Sequence, residues 1–259
     1  MMTSTRKLTW RPQPADPRDY QFSLPTAGTL PDHVDPLGST VKVEDQGNLG
    51  SCTGHATTTA LEIVMNNKRQ YSRLMAYYNG RLLEGSTRYD DGAYLRDVIK
   101  GFKQYGVSYE SLWPYIEGKV SAKPSTAAYT NGKLVKPLVL KYEAVTTLDQ
   151  MKTALAAGLP VVFGFLCTQQ IQTMAVAESG WLRYPTARDY IVGGHAVTAV
   201  GYDTRPAAIS GSAEPFMWVR NSWGPDWGIG GNFKMPLTWF TSSYVSDMWA
   251  IYPKLSLKR

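Results

Sequence analysis

The apolar residues change their period partway along the chain, and that change demands two kinds of packing within one molecule. From Ser51 to Gly106 they recur at helical spacing. Ala56, Ala60, Ile63 and Val64 do so in CTGHATTTALEIVMNN, Leu74, Tyr78 and Leu82 in RLMAYYNGRLLE, and Tyr94, Val98 and Phe102 in AYLRDVIKGFKQYG. Ser51 is placed to cap the first of these helices and Gly106 to stop the third. One further short helix is read in TLDQMKTALAAG, after which PVVFGFL, HAVTAVGYD, FMWVRNSW and VSDMWAIY are apolar or alternating runs, the signature of strands. The polar stretch DTRPAAISGSAEP, residues 203–215, separates two of them and predicts a long hairpin. A helical half followed by an antiparallel half is an α+β chain of two lobes, with a site expected at their junction.

Ahead of this pattern, prolines 12, 14, 17, 25, 31 and 36 crowd the first 36 residues. They remove amide donors and disfavour helix, so residues 1–29 are expected as an extended arm. Residues 30–259 then form the folded unit, helical over about 45–135 and β over about 136–259. A chain of 259 residues, 43% of them apolar, is long enough for one large core or two that share a cleft. The arm lacks the apolar stretch of a secretory signal, which points to the cytoplasm or a non-standard export route. The net charge of +6 is scattered over the chain, so neither nucleic acid nor a membrane is expected as partner.

Only Cys52 and Cys167 are present, too few for a disulfide scaffold. A structural zinc site takes about four ligands. The chain offers these two cysteines with His33, His55 and His195, of which only Cys52 and His55 are close in sequence. A metal site would need carboxylates as well, and none is expected, nor any cofactor. Within DQGNLGSCTGHATTTALE, Cys52 has three readings: a buried thiol, half of a metal site, or a nucleophile at the start of a helix, where the partial positive charge stabilises a thiolate. Cys167 reads as a buried thiol.

A thiolate also needs a base. His33 lies in the proline-rich LPDHVDP, where an exposed loop histidine is the usual case. His55 lies three residues after Cys52 on the same rigid helix, which limits how it can point at the sulfur and favours a packing role. His195 opens GGHAVTAVGYD, where two glycines permit close approach and a buried strand fixes the ring; a core histidine is the alternative. Downstream, WVRNSWGPDWGIGGNFKMP offers Asn221 as an amide oxygen to orient an imidazole. Trp223 and Trp227 read ordinarily as core aromatics, and their glycine-flanked arrangement also suits them to cover that hydrogen bond from water.

Three blocks in this order resemble the papain-like cysteine peptidases: QGNLGSC, GGHAVTAVGYD and VRNSWGPDWGIGG. Gln46 stands six residues before Cys52, as in the family. His195 follows Cys52 by 143 residues, inside the family's range of roughly 130 to 150. Asn221 lies 169 residues on, beyond that range, and the 203–215 loop accounts for the excess. The resemblance extends more weakly through DDGAYLRDVIKGFKQYGVSYESLWPY and covers about residues 30–255.

It implies a two-lobe fold with a helical left lobe and an antiparallel, barrel-like right lobe. It also implies a monomeric thiol peptidase acting on peptides or proteins, with Cys52 as nucleophile, His195 as proton carrier and Asn221 as its orienting partner. Gln46 and the Cys52 amide would form the oxyanion hole. Gly92 and Ala93 would bind an extended peptide through their backbone, and Tyr94, Leu95, Gly164 and Gly194 would surround a pocket for an apolar side chain. An acyltransferase or transglutaminase-like enzyme would use the same groups, whereas a non-catalytic binding protein of this fold would require one of them to be broken.

The departures from the family concern the surroundings of the thiol. Leu49 replaces a frequent cysteine, so the loop must be held by packing. Thr53 stands in place of an aromatic residue, His55 in place of a large apolar one, and Gly194 in place of an acidic or polar one. Residues 1–29 are too short for the family's folded propeptide. They are expected either as a flexible tail or as a strand lying in the cleft of a zymogen.

Overall fold

The computed structural model describes residues 6–25, 28–66, 69–135 and 139–253. Parts of the expected arm (1–5 and 26–27) and both ends of the expected β half (136–138 and 254–259) lie outside the described residues. The predicted helices form as α1 (Cys52–Met65), α2 (Arg73–Glu84), α3 (Leu95–Gln104) and α5 (Leu148–Ala156). Apolar periodicity alone passed over α4 (Thr126–Val135), the six-residue α6 (Met174–Ser179) and the short α7 (Ala207–Ser210) inside the hairpin loop.

The central helix α1 is buried for most of its length although it carries four threonines. Thr57 and Thr58 donate their hydroxyls back to the carbonyls of Thr53 (2.7 Å) and Gly54 (2.8 Å), which removes the cost of burying them. A Cβ at Gly54 would stand 2.7 Å from the Arg73 carbonyl, so glycine there lets α1 meet the start of α2. Ser72 caps α2 through the Met75 amide. Ser51 does not cap α1, contrary to its sequence position; its hydroxyl is taken by Tyr115 at 2.6 Å.

The strands are β1 (His33–Val34), β2 (Val139–Val145), β3 (Val161–Thr168), β4 (Ile191–Asp203), β5 (Phe216–Arg220), β6 (Asn232–Pro236) and β7 (Val245–Pro253). They form one antiparallel sheet in the order β2-β7-β3-β4-β5-β6, with β1 on β4. The fold is α+β, and β4 and β5 make the expected hairpin across 203–215. The sheet is open rather than closed into a barrel, because other segments take its edges. Residues 180–182 pair with Lys234 on β6, through Lys234 N–H to Gly180 O (2.7 Å) and Leu182 N–H to Lys234 O (3.0 Å). On β2, Ala144 exchanges hydrogen bonds with Tyr20 and Phe22 of the arm.

The largest apolar cluster lies on the sheet around Phe163, Phe165, Phe233 and Trp239. A second joins Cys52, Ala56 and Leu61 of α1 to Leu95 and Val98 of α3, Ala196 of β4 and Trp249 of β7. Helical and β halves thus meet along α1, which places the first residue of that helix beside β4. Leu49 packs with Leu74, Met75, Trp113 and Ala128, so the loop before Cys52 is held by packing as expected.

Glu62 on α1 is 5% exposed and accepts the Tyr71 amide at 2.8 Å. Burial pushes its carboxyl up to about 7. A carboxyl raised in the folded state favours folding below its unfolded value and loses that contribution as pH rises through the folded one. The window here is about pH 4.5 to 7. Denaturant unfolding of wild type and Glu62→Gln at pH 5 and pH 8 is expected to show an extra loss at pH 8 in wild type alone, on the order of 2–3 kcal/mol. Parallel behaviour of the two proteins would contradict this.

Candidate active site

Cys52, the first residue of α1, is fully buried, and the backbone N–H groups of Thr53 and Cys52 at the helix start face its sulfur. A third amide comes from Ala196 on β4, the residue after His195, and a fourth from Trp10 near the N-terminus. Sheet pairing sets His195 opposite Phe165, whose ring meets the imidazole edge-on at 6.1 Å. His195 Nε2 bonds Asn221 Oδ1 at 2.8 Å, leaving Nδ1 without a hydrogen-bond partner among the described residues. An amide oxygen can only accept, so Nε2 carries the proton and donates it to Asn221 Oδ1, and Nδ1 is the basic nitrogen. Trp223 stacks on the imidazole at 5.0 Å, and Trp227 meets Trp223 edge-on at 5.1 Å. Both indoles are buried beside this bond, and Asn221 is 4% exposed.

Gln46 is also fully buried. Its N–H donates to Ser222 O (2.8 Å), its Oε1 accepts the Ser222 hydroxyl (2.7 Å), and its Nε2 donates to Leu49 O (2.8 Å). Ser222 N–H in turn donates to Asn221 Oδ1 at 2.8 Å. One serine thereby ties the amide of Gln46 to the partner of His195. Sequence reasoning missed Ser222; its place directly after Asn221 was the available signal.

The cleft between these groups holds the arm. Trp10 N–H donates to Gly194 O (2.9 Å), and Thr9 Oγ1 donates to Gly50 O (2.9 Å). Lys7 O lies 3.5 Å from Gln46 Nε2. The Trp10 indole is 3% exposed and lies against Gly164 and Gly194, where added Cβ atoms would come within 1.8 and 2.6 Å of its ring. Gly92, at φ +86°, approaches Thr9 O so closely that a Cβ would stand 2.3 Å away. Ala93 and Leu95 are buried in the cluster that contains Trp10, and Tyr94 lies under the Arg11 guanidinium at 4.5 Å. The residues expected around a substrate pocket are therefore brought together, with an arm residue among them. Trp10, a large aromatic side chain within a proline-rich arm, was the signal overlooked.

Polar contacts hold the arm on both sides. Arg6 pairs with Asp45 (2.8 Å), Lys7 with Asp90 (2.6 Å), Arg11 with Glu84 (2.9 Å) and Asp19 with Arg96 (2.5 Å). Gln13 N–H donates to Asp247 at 2.9 Å. Under this cover burial pushes the Cys52 thiol up to about 11, and the four amide contacts only partly offset it. Burial likewise pushes the His195 imidazole down to about 4 against the Asn221 hydrogen bond. Both shifts favour the neutral thiol and imidazole in the covered cleft, because losing water costs the charged forms more than the amides and the Asn221 bond return.

Gly164→Ala is expected to dislodge the Trp10 ring and speed trypsin cleavage after Lys7 by on the order of tenfold, since cleavage follows the open population. Unchanged cleavage would mean that Trp10 does not hold the arm.

His33 lies in β1, paired with Asp203, far along β4 from His195. His55 is buried on α1, with Nδ1 3.1 Å from Ser51 O. Cys167 is a fully buried free thiol, as read.

An open antiparallel sheet packed on a helix that begins with a buried cysteine, beside a strand carrying an Asn-paired histidine, defines a two-lobed thiol enzyme. The model of the papain family of cysteine proteases matches residues 30–246, and the chain belongs to this family as a peptide hydrolase. Xylellain, a cysteine protease from Xylella fastidiosa, is similar in structure, with TM-score 0.84, 32% identity and 95% of each chain covered. An uncharacterized peptidase C1-like protein of Acanthamoeba polyphaga mimivirus is 36% identical over 248 residues, covering 90% of this chain and 74% of that protein. The procathepsin L 3 of Tenebrio molitor larval midgut shares the fold, with TM-score 0.66 at 18% identity.

Proposed function

We infer that the chain hydrolyses peptide bonds through a thioester on Cys52, and that its own arm holds the cleft shut until displaced. The observation that carries this reading is the arm's course, with the Lys7 carbonyl beside the Gln46 amide and the Trp10 amide on Gly194 O.

In the open cleft water returns to the thiol and imidazole, which removes the burial that keeps both neutral. His195 Nδ1 takes the Cys52 proton, and the sulfur attacks the scissile carbonyl carbon. The carbonyl electron pair moves to oxygen, where the Gln46 Nε2 and Cys52 N–H groups receive the charge. The carbon–nitrogen bond breaks, the proton on Nδ1 passes to the leaving amine, and a thioester remains. Water gives a proton to Nδ1 and adds its oxygen to the thioester; the thiol leaves with that proton, and the carboxylic acid is released. Asn221 keeps the proton on Nε2 throughout, so that Nδ1 is free to cycle.

The arm blocks without being cut because it runs backwards. A substrate places the residues before its scissile carbonyl along Gly92 and Ala93. In the arm, Lys7 O sits at the oxyanion donor while the residues after it, Thr9 and Trp10, lie along Gly92 and Gly194. That is the reverse of the chain sense of a substrate.

An epoxysuccinyl peptide incubated with the full chain carrying Trp10→Ala is expected to add its mass to the fragment containing Cys52 and leave Cys167 unmodified. Modification of Cys167 with Cys52 untouched would contradict the assignment.

A further inference from the structure

The turn before Cys52 has to present the Gln46 amide in one orientation. Gly47 follows at φ +57°, and its N–H, in the same peptide as the Gln46 carbonyl, donates to Asp45 Oδ1 at 2.8 Å, which leaves the carbonyl end of that peptide to be held from elsewhere. No disulfide ties the turn, since both cysteines are free and Leu49 stands where a tether would be. Side chains of the helical half grip it instead, Asp90 at Gly50 with a 3.0 Å hydrogen bond and the 115–117 segment nearer Gln46. Glu117 Oε1 accepts the Asn48 amide at 2.9 Å, and the Tyr115 hydroxyl donates to the Gln46 carbonyl at 2.8 Å. The only other donor recorded on that carbonyl among the described residues is the Leu49 amide, at 3.3 Å.

Tyr115 is itself fixed from three directions. Its hydroxyl bonds the Ser51 hydroxyl at 2.6 Å, its amide donates to Glu110 Oε1 at 2.6 Å, and its ring meets His55 edge-on at 4.9 Å. His55 Nδ1 bonds the Ser51 carbonyl, so the ring that steadies Tyr115 is anchored one residue before the nucleophile. The Tyr115 phenol is pushed above its ordinary range by burial, which keeps it a donor, and burial holds His55 neutral with its pKa down at about 3.

We propose that Tyr115 is a positioning residue for the oxyanion hole: its hydroxyl locks the Gln46 peptide plane, and His55 serves as the wall that fixes the tyrosine. This rests on Gln46 acting as an oxyanion donor. It gives His55, close to the nucleophile yet unsuited as its base, a definite task. Without the hydroxyl the Gln46 carbonyl keeps only the longer bond from the Leu49 amide, and a displaced donor loses the transition state while substrate still binds.

The test compares Tyr115→Phe with its parent in the full chain carrying Trp10→Ala, and repeats the comparison with Gln46→Ala added. Phenylalanine keeps the ring against His55 and removes one oxygen. With Gln46 present, kcat is expected to fall about tenfold with KM within about twofold. Affinity for a peptide aldehyde, whose adduct carries the oxyanion, should fall by the same factor. Alkylation of Cys52 by iodoacetamide needs no oxyanion hole and should stay within about twofold. With Gln46→Ala present, the loss should vanish, because two residues acting through one interaction are not additive.

Equal losses in kcat and alkylation, an undiminished effect in the Gln46→Ala background, or an unchanged kcat would each overturn the proposal. If the parent alkylates and binds aldehyde but cleaves no peptide, the peptidase reading fails by itself, and the aldehyde ratio still judges Tyr115.

Discussion

Cys52→Ala, made in the chain carrying Trp10→Ala, is expected to lower peptide hydrolysis by roughly 10⁴- to 10⁶-fold, the loss found when the nucleophile of an acyl-transfer site is removed. The expectation follows from position. Cys52 alone has helix-start amides, the Ala196 amide and the strand bearing His195 around its sulfur. Cys167 lies opposite Gly193 on β3 in an apolar cluster, with burial raising its thiol well above the ordinary range. It has no means of forming a thiolate there and cannot substitute. His195→Ala should cost about as much, and the double variant little more than either single one, because the two act as a unit. Initial rates on a fluorogenic peptide measure this, and activity surviving in Cys52→Ala would refute the nucleophile assignment.

The second large effect concerns the arm. Trp10 is 3% exposed in the covered cleft, and truncating a buried tryptophan costs about 3–5 kcal/mol. Spent on the closed state alone, such a loss raises the open fraction by on the order of 10²- to 10³-fold, since each 1.36 kcal/mol is a factor of ten. Trp10→Ala in the full chain, and a chain beginning at Leu30, should therefore both hydrolyse a short peptide at least about 100-fold faster than the intact chain. The ion pairs of Arg6, Lys7 and Arg11 involve partly exposed groups and each contribute at most about 1 kcal/mol. Salt should open the intact chain only modestly. The chain beginning at Leu30 also loses Phe22, which is buried in the sheet's core, so Trp10→Ala is the cleaner comparison. Equal rates in all three proteins would remove the arm from any regulatory role.

Much of this was legible in the order of residues because the chemistry is local in sequence. A helix that starts at a cysteine, a strand that carries a histidine behind two glycines and an asparagine followed by tryptophans each read from a short block. The helices with strong periodicity and the four apolar strands were readable for the same reason. What escaped was set by contacts between distant segments. Ser51 looked like a helix cap, but a tyrosine 64 residues away takes its hydroxyl. The β edges are taken by residues 180–182 and by the arm, so the sheet stays open, and no local pattern announces that. The helix start promised a depressed thiol, yet the arm's burial of Cys52 reverses the shift. Ala93, Tyr94, Gly164 and Gly194 were expected around a pocket from the resemblance, while Trp10, which lies against Gly164 and Gly194, is far from all of them in sequence.

The pH profile of Cys52 alkylation by iodoacetamide, measured on the intact chain and on the same chain carrying Trp10→Ala, tests most directly whether the arm covers a catalytic thiol–imidazole pair. In the intact chain the reaction should be slow and climb only towards strongly alkaline pH, where a thiol raised to about 11 ionises. With Trp10→Ala it should already be fast near neutrality, inflecting below the ordinary thiol value of about 8.5, as a thiolate paired with His195 requires. Superimposable profiles, both inflecting at an ordinary thiol value, would contradict both the pairing and the cover.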